Sequence, residues 1–133
     1  MKIKILFIAL VFITALSSCQ KDLATAWVGT YNGSITGGNN VSRVVVTKVN
    51  DKTIKMELQT NLLGSYYTYA TIGSGSLASA TTVSINEDGT VYSYSGTYHF
   101  SGGGSLNGNA LTLTGAATQT GKTTLYYSFS GSK

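Results

Sequence analysis

Few side chains in this 133-residue sequence can do chemistry: one cysteine, Cys19, one histidine, His99, and five carboxylates, among them the adjacent Glu87 and Asp88. His99 has no second imidazole, and no thiol besides Cys19, with which to build a familiar metal site. Serine is abundant, yet none occupies the centre of a Gly-x-Ser-x-Gly elbow. Gly102-Gly103-Gly104 lacks the lysine and the following helix of a phosphate loop, so it reads as a flexible connection. Glu87-Asp88-Gly89 reads as a hairpin turn, with glycine supplying the positive φ. The expectation is a non-enzymatic protein with no catalytic, cofactor-binding or metal-binding residues. Beyond Lys2 and Lys4, the basic side chains are Lys21, Arg43, Lys48, Lys52, Lys55, Lys122 and Lys133. They form no cluster, which argues against a nucleic-acid partner.

The chemistry therefore concentrates on Cys19 and on what precedes it. Lys2 and Lys4 put positive charge before an apolar run, Ile5 to Leu16, interrupted only by Thr14. As a helix this run spans about 18 Å, short of a hydrocarbon core of about 30 Å. It reads as the h-region of a secretory signal rather than as a permanent transmembrane helix. Leu16-Ser17-Ser18-Cys19 resembles the lipobox of bacterial lipoproteins, with Leu at −3, small residues at −2 and −1, and the cysteine at +1. The resemblance implies that residues 1–18 are a signal peptide removed before Cys19, and that the Cys19 sulfur carries a lipid anchor. Two or more acyl chains suffice for stable membrane anchoring. Gln20-Lys21-Asp22 resembles the export tag of surface lipoproteins in the Bacteroidota, a generic polar tether being the other reading. The implied location is the cell envelope, lipid-anchored at the outer membrane, with periplasmic and surface orientations both open.

Removing residues 1–18 leaves about 115 residues, enough for one domain with one core. Residues 19–26 make the lipidated cysteine and its tether, and 27–133 the domain. There is no proline, few charges, and an excess of Gly, Ser, Thr and Tyr, a composition for strands joined by tight turns. Alternation at period two marks strands at 53–59, with Ile54, Met56 and Leu58 facing inward, and at 91–100, with Tyr92, Tyr94, Gly96, Tyr98 and Phe100 on one face. Further strands are expected at 27–36, 42–49, 66–72, 76–86, 110–115 and 123–130. Eight strands joined by short turns suit a small antiparallel up-and-down barrel, with a β-sandwich as the alternative.

Trp27-Val28-Gly29-Thr30-Tyr31-Asn32-Gly33, Gly108 to Gly115 and the terminal Tyr127 to Lys133 resemble the calycin-like (lipocalin-like) β-barrel lipoproteins of the Bacteroidota. Tyr31 occupies the aromatic place of the first strand, with Trp27 ahead of Gly29 rather than after it. That family implies an all-β barrel on a lipid tether and no established reaction. Nine tyrosines are the remaining signal. Trp27, Tyr31, Tyr92, Tyr94, Tyr98 and Phe100 are the candidates to line a cavity or an aromatic platform for a small apolar or glycan ligand. The simpler reading is that such rings fill the barrel. The expected function is a membrane-anchored binding module, with a protein-interaction scaffold or a loop-based peptidase inhibitor as the alternative.

Overall fold

The computed structural model describes residues 22–34, 40–61, 64–73 and 80–133. The signal segment, Cys19, and the ends of the expected strands at 35–36 and 76–79 lie outside them. A short 3-10 turn, Thr25–Trp27, leads into β1 (Gly29–Gly33), β2 (Val41–Lys48), β3 (Thr53–Thr60), β4 (Gly64–Ile72), β5 (Thr82–Val91), β6 (Tyr98–Asn107), β7 (Ala110–Thr118) and β8 (Leu125–Ser132). Each strand pairs antiparallel with the next, and β8 returns to β1 through Asn32↔Ser132 and Gly33↔Gly131. The sheet closes. It is an up-and-down barrel of eight strands, and the sandwich alternative falls away.

Alternation fixes which side chains turn inward, since neighbours along a strand point to opposite faces. Ile54, Met56 and Leu58 of β3 are fully buried, as their spacing predicts, and so are Leu111 and Leu113 of β7. Lys55, Asn86, His99, Ser101, Thr112 and Thr114 face solvent. A polar wall around an apolar interior is the reverse of a membrane-spanning barrel, whose lipid-facing wall is apolar.

Among the described residues the interior is filled with side chains. Trp27, Tyr31, Tyr66, Tyr98 and Phe100 are fully buried with the aliphatic side chains around them. Phe100 packs at 6.2 Å from Tyr66 and 6.1 Å from Tyr127, ring centre to ring centre. The 3-10 turn plugs one end: the Trp27 indole N–H donates to the Ala80 carbonyl at 2.9 Å, and the Tyr31 hydroxyl to the Trp27 carbonyl at 2.8 Å. At the rim of the opposite end, the Asn40 amide bridges β2 to β8, donating to the Tyr126 carbonyl and accepting from the Ser128 N–H.

Three expectations need correction. Trp27 precedes the first strand rather than opening it. Glu87-Asp88-Gly89 is strand, inside β5, and the turn comes later, over residues 92–97, where a strand face was expected. There Gly96 has φ of 93°, and the Tyr94 N–H donates back to the Val91 carbonyl at 3.0 Å. Gly102-Gly103-Gly104 is not a connection but the middle of β6.

The reason lies in close approach. Ile85, Gly102, Gly115 and Tyr127 stand side by side in register across β5 to β8. A Cβ on Gly115 would lie 2.2 Å from both the Ser101 carbonyl and the Tyr127 hydroxyl, and one on Gly102 2.3 Å from the Thr114 carbonyl. The Tyr127 side chain occupies the room that two missing side chains leave, and its hydroxyl donates to the Ser101 carbonyl at 3.1 Å. Burial pushes that hydroxyl's pKa up. In urea unfolding, Tyr127→Phe should cost about 1 kcal/mol, the worth of one hydrogen bond. Tyr127→Ala should cost about 3–5 kcal/mol, because it empties the row. A smaller loss for alanine than for phenylalanine would contradict this packing.

Candidate functional site

Among the described residues the ladder shifts register in two places, at Val41/Arg43 between β2 and β3 and, over a longer stretch, between β4 and β5. Tyr66↔Val91 and Tyr67↔Thr90 are in register between β4 and β5, and so are Thr71↔Ser84 and Ile72↔Val83, but the two sets do not share one register. Between them residues 68–70 of β4 stand opposite residues 85–89 of β5, so β5 must bow away from its neighbour, as a bulged strand does. β5 stays paired with β6 through the same stretch, from Thr82↔Ser105 to Gly89↔Tyr98.

Beside the seam between β4 and β5 lies a groove of about 350 Å³ on the outer wall. Its lining includes Lys55 of β3, Tyr67 and Tyr69 of β4, Asp88 and Thr90 of β5, and Thr97. A smaller hollow of about 130 Å³ adjoins it, lined by Val45, Thr47, Lys55, Glu57 and Tyr67. Lys55 and Tyr67 belong to both, with the Lys55 ammonium 5.7 Å from the centre of the Tyr67 ring. Tyr69 is 42% exposed. The Glu57 carboxylate accepts from Gln59 Nε2 at 3.0 Å and from the Ser65 hydroxyl at 3.1 Å, which fixes its orientation. At the far side Asp88 Oδ1 lies 3.1 Å from His99 Nδ1, while His99 Nε2 lies 3.1 Å from Asn86 Oδ1. His99 is held on the outer wall between two polar neighbours of β5. Among the described residues no group of three or more His, Cys, Asp or Glu is placed to hold a metal.

The six aromatic residues singled out from the sequence divide into two groups. Trp27, Tyr31, Tyr98 and Phe100 are buried in the packed interior. Tyr92 and Tyr94 lie in the turn after β5 and are 79% and 40% exposed, so they do not share a buried face with Tyr98. Tyr94 still touches the Tyr98 ring edge-on at 6.2 Å. None of the six lines the groove or the smaller hollow. The residues that do, Tyr67 and Tyr69, alternate with inward Tyr66 and Thr68 in the sequence. Their outward phase was readable there; the bulge that hollows the wall around them was not.

Cys19 lies outside the described residues, but the chain from Asp22 onward is firmly held. Asp22 accepts from the N–H groups of Ala24 and Thr25 at 3.1 and 3.2 Å and from the Thr25 hydroxyl at 2.6 Å. Lys48 pairs with Asp22 at 2.5 Å and with Asp51 at 2.9 Å. The Leu23 and Ala24 N–H groups both donate to the Asp51 carbonyl. These contacts clamp the start of the domain to the β2–β3 turn.

Comparison of the chain with protein-family models, curated proteins and solved structures finds no match. The closed antiparallel barrel of eight strands is compatible with a calycin-like fold.

The hydrogen bond from Lys48, followed by that from Thr25, holds the Asp22 carboxyl at about 2, below its ordinary 3.8. A carboxyl whose folded value is lowered stabilises the fold above its unfolded value and loses that contribution as pH falls through the folded one. Between pH 4 and pH 2, therefore, the urea midpoint of the wild-type protein should drop more steeply than that of Asp22→Asn. Parallel pH profiles would show that the clamp is not formed.

Proposed function

We propose that this protein is a lipid-anchored, non-enzymatic binding module of the cell envelope that holds a glycan in the groove on its outer wall. The anchor rests on the register of the apolar run, Leu16, the two small residues and Cys19. The binding reading rests above all on one observation: two tyrosines, Tyr67 and Tyr69, line a groove on the outside of a barrel whose interior is full.

A sugar ring offers an apolar C–H face and a rim of hydroxyls. The tyrosine rings supply flat amphipathic contact for the first, while Lys55, Asp88, Thr90 and Thr97 supply donors and acceptors for the second. The volume falls at the small end of the range for ligand sites, about 300–1,000 Å³. Asp88 is open to solvent and Glu57 is tied by two donors, an arrangement for orienting a ligand rather than turning it over. A ligand seated on the outer wall also departs from the lipocalin-style interior site. Such a module at the outer membrane of a bacterium of the Bacteroidota type would retain glycan fragments at the envelope. The scaffold reading draws its support from Tyr92, exposed at the rim, where a protein partner would bury it.

Glycan-array screening followed by calorimetric titration tests the two readings together. Tyr67→Ala and Tyr69→Ala should each weaken glycan binding at least tenfold, about 1.4 kcal/mol, and Tyr92→Ala should leave it unchanged. If no glycan is retained and Tyr92→Ala instead abolishes capture of a protein partner, the scaffold reading replaces this one.

A further inference from the structure

The clamp on Asp22 has a geometric consequence for how the domain meets a membrane, given the lipid anchor proposed above, on which the inference rests. Only three residues of chain advance separate Cys19 from Asp22. Fully extended they reach about 11 Å. A headgroup layer is about 5–8 Å thick on each side of the hydrocarbon. With its acyl chains in the bilayer, Cys19 therefore keeps Asp22 within or just above the headgroups. Asp22 is not a loose residue: it is bonded to Thr25, to Lys48 at the end of β2, and next to the Asp51 carbonyl that receives Leu23 and Ala24. Where Asp22 goes, that end of the barrel goes.

The same end gathers the β2–β3 turn, the 3-10 turn and Lys133. The Lys133 ammonium donates to the carbonyls of Ala26 and Val28 at 2.8 and 3.0 Å, and the Lys133 N–H to that of Asn109 at 3.2 Å. Two apolar side chains are left outside at this end, Val49 at 52% and Val28 at 39% exposure. Lys52 stands exposed three residues beyond Val49. Valines offer apolar contact to the headgroup–acyl boundary, and a lysine near the surface attracts headgroup phosphate.

We infer that the barrel stands end-on against the lipid headgroups, seated through the β2–β3 turn and the Val28 segment, rather than floating on a leash. Strands of eight to ten residues, tilted as in small barrels, then lift the opposite rim with Tyr92 and Tyr94 about 20 Å above the surface. The wall groove stays open to solvent, sideways to the membrane.

Single thiols introduced by Lys52→Cys and Tyr92→Cys test the orientation, because an acylated Cys19 leaves no competing thiol. Each lipidated protein is labelled with a fluorophore and reconstituted into vesicles of phosphatidylcholine and phosphatidylglycerol carrying a headgroup-level spin-labelled lipid. Quenching at position 52 should exceed quenching at position 92 several-fold. Inserting about twenty Gly/Ser residues between Lys21 and Asp22 adds a reach of about 25 Å and should abolish that difference while the protein stays bound. Equal quenching at the two positions in the bound, uninserted protein overturns the end-on seating and leaves the anchor standing. Cys19→Ala separates the two: it should move a folded barrel into the soluble fraction. If that variant stays in the membrane fraction, the anchor fails, and the seating with it.

Discussion

Eight strands closed into a barrel enclose a space only about as wide as the side chains that point into it. That geometric limit governs the rest of this molecule. Trp27, Tyr31, Tyr66, Tyr98, Phe100 and Tyr127 consume the enclosed space together with the aliphatic residues of β2, β3 and β7. Where two strands carry glycine on the inward face, at Gly102 and Gly115, one large side chain fills the room of the missing ones. Large rings opposite glycines keep the packing dense, and density is what makes the barrel a single well-defined structure.

With the interior packed, the proposed site lies on the outer surface. The seam between β4 and β5 shifts register, and the wall beside it is hollowed next to Tyr67 and Tyr69. At the plugged end, Trp27 and the Asp22–Lys48–Asp51 contacts bind the chain entry to the barrel within three residues of the proposed anchor. The candidate site and the proposed seating on the membrane thus depend on separate devices: one on the strand register, the other on the clamp.

Period-two alternation and turn composition made the class and the strand number legible in the sequence. Where inward residues are aliphatic, as at Ile54, Met56 and Leu58, even the phase could be read directly. Reading broke down where one residue type serves two environments. Tyr92 and Tyr94 continue the alternation of Tyr98 and Phe100, and nothing local says that the chain turns before Gly96 rather than after Gly89. Gly102-Gly103-Gly104 looks like a linker, because the large partner that makes glycine necessary, Tyr127, lies a strand and more away in sequence. The groove was invisible for a related reason. It is produced by a register shift between β4 and β5, a property of pairing that neither strand carries alone.

The claim that carries the account is that the barrel interior is closed to ligands. Trp27, the only tryptophan, sits fully buried in the plug at one end and reports on that interior. Titrating the purified protein with a long-chain fluorescent fatty acid, while following energy transfer from Trp27, tests the claim directly. The account predicts no saturable transfer and an unchanged Trp27 emission. Saturable, one-to-one transfer from Trp27 would show a ligand inside the barrel and would contradict it.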